Sequence, residues 1–246
     1  MVTMRRFYYP PHNRKDDEVD LSSEESRHAL KVLRLAVGDR VELFDGQGSV
    51  YLGTVIGSAR RVTIRIDGEL ETTEDTGRPL QVIQAMLRGE KMDQVVQKCT
   101  ELGVSRLIPV FSERSQGRLD RAKAARKVER WQRISLESCK QCLRPRPMEI
   151  AFPLLFTDLL QDQQILASEL LFFWEKEREC TLRDLIFAGD NPLVLLFGPE
   201  GGFTDAEVMA AQEAGWKSVS LGNRILRSET ASLAGVSLVQ YLLGNL

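Results

Sequence analysis

Two short segments near the C-terminus carry residue types that could do chemistry. The first, Leu193-Val-Leu-Leu-Phe-Gly-Pro-Glu-Gly-Gly-Phe-Thr204, is an apolar run that empties into a glycine-rich turn. Thr204 and Glu207 then stand at capping-box spacing for a following helix. The second, Leu221-Gly-Asn-Arg-Ile-Leu-Arg-Ser-Glu-Thr-Ala231, sets two arginines and a glutamate among apolar residues, again between a strand pattern and a helix pattern. In open α/β sheets ligands lie at the carboxyl ends of strands, and glycine lets main-chain atoms approach a bound molecule closely. An isolated Gly-Gly would read as a tight connection and nothing more. The second segment changes that, because a mere surface turn rarely needs such a mix of charge and apolar bulk.

Missing motifs narrow the chemistry. No G-x-G-x-x-G opens a βαβ unit and no G-x-x-x-x-G-K-[ST] loop is present, so ordinary dinucleotide and nucleoside-triphosphate sites are unsupported. The two histidines, His12 and His28, both lie near the N-terminus, and no His/Cys/Asp cluster has metal spacing, so no metal is expected. Cys139-Lys-Gln-Cys142 is a lone C-x-x-C without a second pair, best read as one face of a helix; with Cys99 and Cys180 these are expected to be reduced thiols.

The elements that must position the two segments follow from periodicity. The first seventy or so residues read as a small antiparallel β unit with one helix. Ser22 and Glu25 have capping-box spacing ahead of Ala29, Leu30, Val32 and Leu33. Strands are expected at 41–44 and 50–56 around Asp45-Gly46-Gln47-Gly48, and at the alternating Val62, Ile64 and Ile66. The polar stretch 71–79 ends in Gly and Pro and separates this unit, residues 1–73, from a second, 79–246. There the pattern alternates: strands at 80–86, 105–111, 170–174, 193–197 and 217–221, helices at 91–102, 119–142, 205–214 and 230–243. That alternation predicts an α/β domain with a parallel sheet.

The formal charge of −2 says little about partners, because charge is unevenly placed. From Arg114 to Arg146 eleven Lys or Arg face three acidic residues, a net +8, leaving −10 for the remainder. A nucleic-acid footprint on this stretch is one reading; a solvated helix face is the other. No apolar run approaches the roughly 20 residues of a membrane span, and no signal-peptide pattern follows the N-terminus, so a cytoplasmic protein is expected.

Four segments together resemble one family: the bacterial 16S rRNA uridine-N3 methyltransferases (RsmE) of the SPOUT superfamily. They are Arg6-Phe-Tyr-Tyr-Pro10; His28-Ala-Leu-Lys-Val-Leu-Arg-Leu35 with Gly38-Asp39; Glu90-Lys-Met-Asp93 through Lys98-Cys-Thr-Glu-Leu-Gly-Val104; and Gly198 to Phe203 with Leu221 to Ala231. Gln141 and Arg144 also fit its pattern, and Trp174 and Glu175 are secondary candidates. The resemblance implies a PUA-like β-barrel followed by a SPOUT domain with a C-terminal trefoil knot, a homodimer, and S-adenosylmethionine (SAM) as cofactor. It implies cofactor contacts at Phe197, Gly198, Glu200, Gly201 and Gly202, and at Leu221, Gly222, Ile225, Leu226 and Thr230. Methylating N3 of uracil requires removing a proton and stabilising the ring anion, which suggests Arg227 as the stabilising cation and Glu200 or Glu229 as base or its orienting partner. RNA contacts are expected from Arg6, His28, Lys31, Arg34, Arg88, Lys91 and Arg118, and the substrate would be 16S rRNA of the small ribosomal subunit. Val236, Val239 and Leu243 on the last helix would serve the core or a dimer interface. The alternatives are a SPOUT enzyme acting on another base or a ribose 2′-hydroxyl, and a catalytically silent RNA-binding assembly factor.

Overall fold

The computed structural model describes residues 4–72, 77–115, 119–187 and 189–246. They form two compact units, one built from the N-terminal strands together with Leu136–Pro147, the other from Gly77–Ser135 and Met148–Leu246.

The first unit is a six-stranded sheet, β1 (Arg6–Tyr8), β2 (Arg14–Lys15), β3 (Glu18–Asp20), β4 (Arg40–Phe44), β5 (Val50–Gly57) and β6 (Thr63–Leu70), with one helix, α1 (Ser23–Lys31). The strand order is β1-β4-β5-β6-β3-β2, so β1 and β2 form its edges. The β4–β5 hairpin turns where the sequence requires it. Gly46 and Gly48 take φ of +74° and +120°, and Asp45 Oδ1 accepts from the amides of Gln47 and Ser49 at 2.7 and 3.1 Å. The sheet is not wholly antiparallel as expected, because β1 pairs parallel with β4, in a register that sets Phe7 beside Leu43. Phe7, Tyr9, Val19, Leu21, Val41, Leu43, Val55 and Ile64 make the core. The expected capping box of α1 is half formed: Ser22 accepts from the Glu25 amide at 3.1 Å, but the Glu25 carboxylate is taken by Lys140. A buried carboxylate gains more from an ammonium than from one amide.

The second unit contains β7 (Leu80–Ala85), α2 (Lys91–Glu101), β8 (Arg106–Phe111), α3 (Arg121–Cys142), β9 (Glu149–Ile150), β10 (Leu154–Leu155), α4 (Phe156–Leu159), α5 (Gln163–Leu166), β11 (Glu169–Phe173), β12 (Leu193–Phe197), α6 (Asp205–Glu213), β13 (Lys217–Val219) and α7 (Ser228–Leu242). Its strands are all parallel, in the order β10-β8-β7-β12-β11-β13, with β9 also on β8. The two-residue alternation of each strand sends side chains to opposite faces. Val82, Leu107, Leu171, Leu195 and Val219 pack with Val95, Trp131, Val236 and Val239 on one face. Ile83, Ile108, Phe172, Val194 and Leu196 pack with Leu159, Ile165, Val208 and Trp216 on the other. Helices therefore cover both faces, which is why the strands read as continuous apolar runs.

The last residues of α3 pack with the first unit, where Cys139 joins Phe44 and Val50, although a boundary between 73 and 79 assigns them to the second. None of the four cysteines is in a disulfide. Burial pushes Cys99 up to about 12, and hydrogen bonding to Cys142, with burial, raises Cys139 further, so both are poor nucleophiles. Among the described residues no helix is long and apolar enough to cross a membrane.

Candidate active site

Strand register brings the informative loops to one end of the sheet. Phe197, the last residue of β12, lies beside Gln84 of β7 and Phe173 of β11, and Phe173 lies beside Val219 of β13. The segments leaving β11, β12 and β13 therefore emerge side by side. They line a cavity of about 470 Å³, within the range of small-molecule sites.

The β12 segment contributes Phe197, Gly198, Glu200, Gly201 and Gly202 to the wall, and the β13 segment contributes Leu221, Gly222, Ile225, Leu226 and Arg227. Phe173, Trp174 and Glu175 follow β11, and Lys91 comes from the start of α2. Of the expected cofactor contacts only Thr230 is absent from the wall; it lies exposed in the first turn of α7. Glu229 is absent as well; its side chain meets the wall residue Lys91.

The glycines are where bulk would not fit. A Cβ at Gly198 would sit 3.2 Å from the Phe203 ring, and one at Gly202, where φ is +67°, 2.9 Å from Glu175 Oε1. Behind the wall, Phe173 and Phe197 stack with centroids 4.7 Å apart, and Gly235 lets α7 lie directly on them. A Cβ there would come within 2.8 Å of the Phe197 ring.

Polar ties fix the loop. Thr204 and Glu207 form the expected capping box, the Glu207 carboxylate accepting from the Thr204 amide at 2.9 Å and the Thr204 hydroxyl from the Glu207 amide at 3.2 Å. The other Glu207 oxygen accepts from the Glu113 amide at 2.8 Å, and Arg114 donates to the Gly201 carbonyl at 3.0 Å. Fully buried Gln84 donates to the Gly198 carbonyl at 3.3 Å and to Ser228 Oγ at 3.2 Å, while accepting from Ser232. Sequence reasoning missed Gln84, Arg114, Ser228 and Ser232. Gln84 did leave a signal, a polar residue between apolar neighbours, Ile83 and Ala85, near the end of a strand.

Electrostatics separates the charged candidates. Partial burial pushes the Glu200 carboxyl up, but the amides of Arg88 and of Glu200 itself, with the Lys91 ammonium, outweigh that and hold it below the usual carboxylate range. Arg227 lines the cavity, is exposed, and has no ion pair among the described residues. In the first unit His28, Lys31 and Arg34 are exposed, Arg34 at a φ of +54°. Arg6 is not: it is 9 % exposed, stacks over Phe44 at 4.8 Å and donates to the Arg144 carbonyl, so it cannot meet a phosphate where it stands. The Arg88 side chain is exposed, Lys91 is ion-paired, and Arg118 lies outside the described residues. On α3, Arg130 pairs with Asp93, Lys123 with Asp120 and Lys140 with Glu25, whereas Arg121, Arg126 and Arg133 are exposed without such pairs among the described residues.

A parallel sheet with both faces covered and a glycine-walled cavity at its carboxyl end make a small-molecule site, and the comparisons give its class, that of the RNA methyltransferases. Residues 74–240 match the model of an RNA methyltransferase domain and residues 21–67 that of an RNA methyltransferase PUA domain. The chain is 32% identical over 231 residues to the ribosomal RNA small subunit methyltransferase E of Bacillus subtilis, covering 90% of this chain and 89% of that protein. The Neisseria gonorrhoeae ribosomal RNA small subunit methyltransferase E bound to S-adenosyl methionine superposes with a TM-score of 0.86 at 33% identity, covering 97% of this chain and 98% of that one. A Legionella pneumophila methyltransferase in complex with the bound cofactor SAM gives 0.89 at 30% identity, covering 98% of each chain. The chain belongs to the ribosomal RNA small subunit methyltransferase E family.

Proposed function

We propose that the protein transfers a methyl group from SAM to N3 of a uridine in 16S rRNA of the small ribosomal subunit. The observation that carries this is the meeting of two glycine-bearing segments, 198–203 and 221–228, on one cavity with an unpaired arginine in its wall. The residues fit the cofactor. Glycines at 198, 201 and 202 leave main-chain groups uncovered toward the cavity, and Leu221, Ile225 and Leu226 offer an apolar slot for an aromatic base. Relatives of known structure hold S-adenosyl methionine.

When bound, SAM supplies a methyl on a sulfonium, which becomes a neutral thioether as the N3 proton is released. Arg227, in the cavity wall, is assigned to stabilise the negative charge the uracil ring gains, and with no carboxylate paired to it among the described residues its own charge is available. Both expected carboxylates share the Lys91 ammonium. Glu200 lies in the cavity wall and is held below the usual carboxylate range, and Glu229 meets the same wall lysine, Lys91. Glu200 or Glu229 takes the N3 proton or orients the group that does.

RNA is held by exposed side chains, His28, Lys31 and Arg34 in the PUA-like unit and Arg88, Arg121, Arg126 and Arg133 in the other. The C-terminal segment threads the domain as a trefoil knot, supported by the course of α7. It leaves β13 at the sheet edge yet packs on β12 and α2, with Gln240 donating to the Leu102 carbonyl at 2.6 Å. The protein acts in the cytoplasm as a homodimer. Val236 and Val239 are wholly buried in the core, so the pairing face is drawn instead from Leu238, Tyr241 and Leu242, which α7 leaves exposed, and from Ile225, 81 % exposed.

The test is to incubate the protein with SAM and small subunits lacking the modification. A primer-extension stop at one uridine is expected, with 3-methyluridine found in the digested RNA, because N3-methylation blocks Watson–Crick pairing. Ribose methylation or another methylated base would favour the alternative acceptors, and SAM binding without transfer would favour a silent binding module.

A further inference from the structure

We infer that Lys91 is a positioning residue of the cofactor site and not a phosphate contact: its ammonium is the clasp that holds the β12 glycine segment to the start of α7. This rests on the proposed SAM site. The Lys91 nitrogen lies 3.3 Å from Glu200 Oε1 and 3.4 Å from Glu229 Oε2. Those carboxylates belong to the two segments that must stay together for the cavity to exist, Glu200 to the turn after β12 and Glu229 to the first turn of α7.

The arrangement leaves each carboxylate dependent on the lysine to a different degree. Glu200 also accepts from the Arg88 amide at 3.0 Å, so part of its charge is satisfied by the backbone. Glu229 Oε2 is buried and accepts no hydrogen bond in usable geometry, so Lys91 is its compensation. Removing one partner of such a pair leaves an uncompensated charge out of water. Here it would do so for two like charges at once, which would then repel across the joint they now close. The lysine is two-thirds buried and committed to both, a poor placement for neutralising an RNA phosphate.

Gln84 makes a second, uncharged tie between the same two segments, from the Gly198 carbonyl to Ser228 and Ser232. It lies on β7, and Lys91 opens the helix that follows. With Gln84 still in place, loss of Lys91 should loosen the joint without unfolding the domain. The other charged groups sharing the cavity are Glu175, Arg224 and Arg227, and among the described residues none of them forms an ion pair with the cluster.

The experiment compares Lys91→Met and Lys91→Arg with the full-length wild type, measuring SAM KM and kcat, filter binding of small-subunit RNA across salt, and thermal melting. For Lys91→Met we expect SAM KM to rise roughly two- to fivefold, the scale of one partly screened ion pair, with RNA affinity and its salt slope unchanged. The defect should shrink as pH falls, because protonating Glu200 removes the repulsion, whereas in the wild type Glu200 is held below the usual carboxylate range and stays paired. Lys91→Arg should recover most of the KM. A loss of RNA affinity with a shallower salt slope and normal SAM KM would overturn the inference in favour of a phosphate contact. A KM defect independent of pH and not recovered by arginine would overturn it in favour of simple packing. If the wild type itself binds no SAM, the proposed function fails rather than the clasp.

Discussion

Gly202 takes a φ of +67°, with the Glu175 carboxylate lying where a side chain would begin. Replacing it with alanine places a Cβ in the left-handed region, at about 1–2 kcal/mol. It also brings that carbon within 2.9 Å of Glu175 Oε1, a contact relieved cheaply because the carboxylate ends a flexible, exposed side chain. The loop lies near the surface, so the strain should be released by local opening, not by unfolding of the domain. If only the closed loop binds, apparent affinity falls with its population, and 1–2 kcal/mol predicts roughly 5- to 30-fold weaker SAM binding by calorimetry. Gly215 is the control: φ is +90°, no atom lies within 4 Å of its would-be Cβ, and it follows α6 outside the cavity wall. Gly215→Ala should lower Tm by about 2–4 °C and leave SAM affinity unchanged. Gly202→Ala binding SAM within twofold of wild type would refute the reasoning that the loop's backbone shape makes the site.

Arg227→Ala should reduce turnover at least about 100-fold while SAM affinity stays within a few-fold, since its charge is needed only where the ring anion develops; equal losses of both in a methyl-transfer assay would contradict this. Because Glu200 titrates below its ordinary value of 4.5, its stabilising effect is present above that pH and lost as pH falls through the lower folded value. Melts of Glu200→Gln should therefore be lower than wild type at pH 7 and converge with it as pH falls through that lowered value. Gly235→Ala forces a carbon to 2.8 Å from the Phe197 ring and should cost about 1–3 kcal/mol in a denaturant titration, with a distorted cavity. Glutamate at both Leu238 and Tyr241 should convert a dimer to monomers in sedimentation, with monomer Tm little changed because both side chains are exposed within the chain.

Period and punctuation made the sheet legible before any coordinates. The apolar runs at 80–85, 106–111 and 193–197 are strands because residues buried on both faces show no polar alternation. The Thr204/Glu207 cap was legible from spacing alone. Elements of two to four residues, such as β2, β9, β10 and α4, were not, because they are set by neighbouring strands and carry no period of their own. The cavity segments were legible as glycines and charges in the wrong company. The burial of Arg6 was not, because an arginine over a phenylalanine looks the same in sequence as one facing solvent. Nor were the ties of Gln84 and Lys91, which join residues more than 100 positions apart.

The most direct test of the central claim is amide hydrogen exchange of the intact protein with and without SAM. The account predicts that one bound SAM slows exchange in both cavity segments, 198–203 and 221–231, while residues of the first unit are unaffected. Protection in only one segment, or protection confined to the first unit, would contradict it.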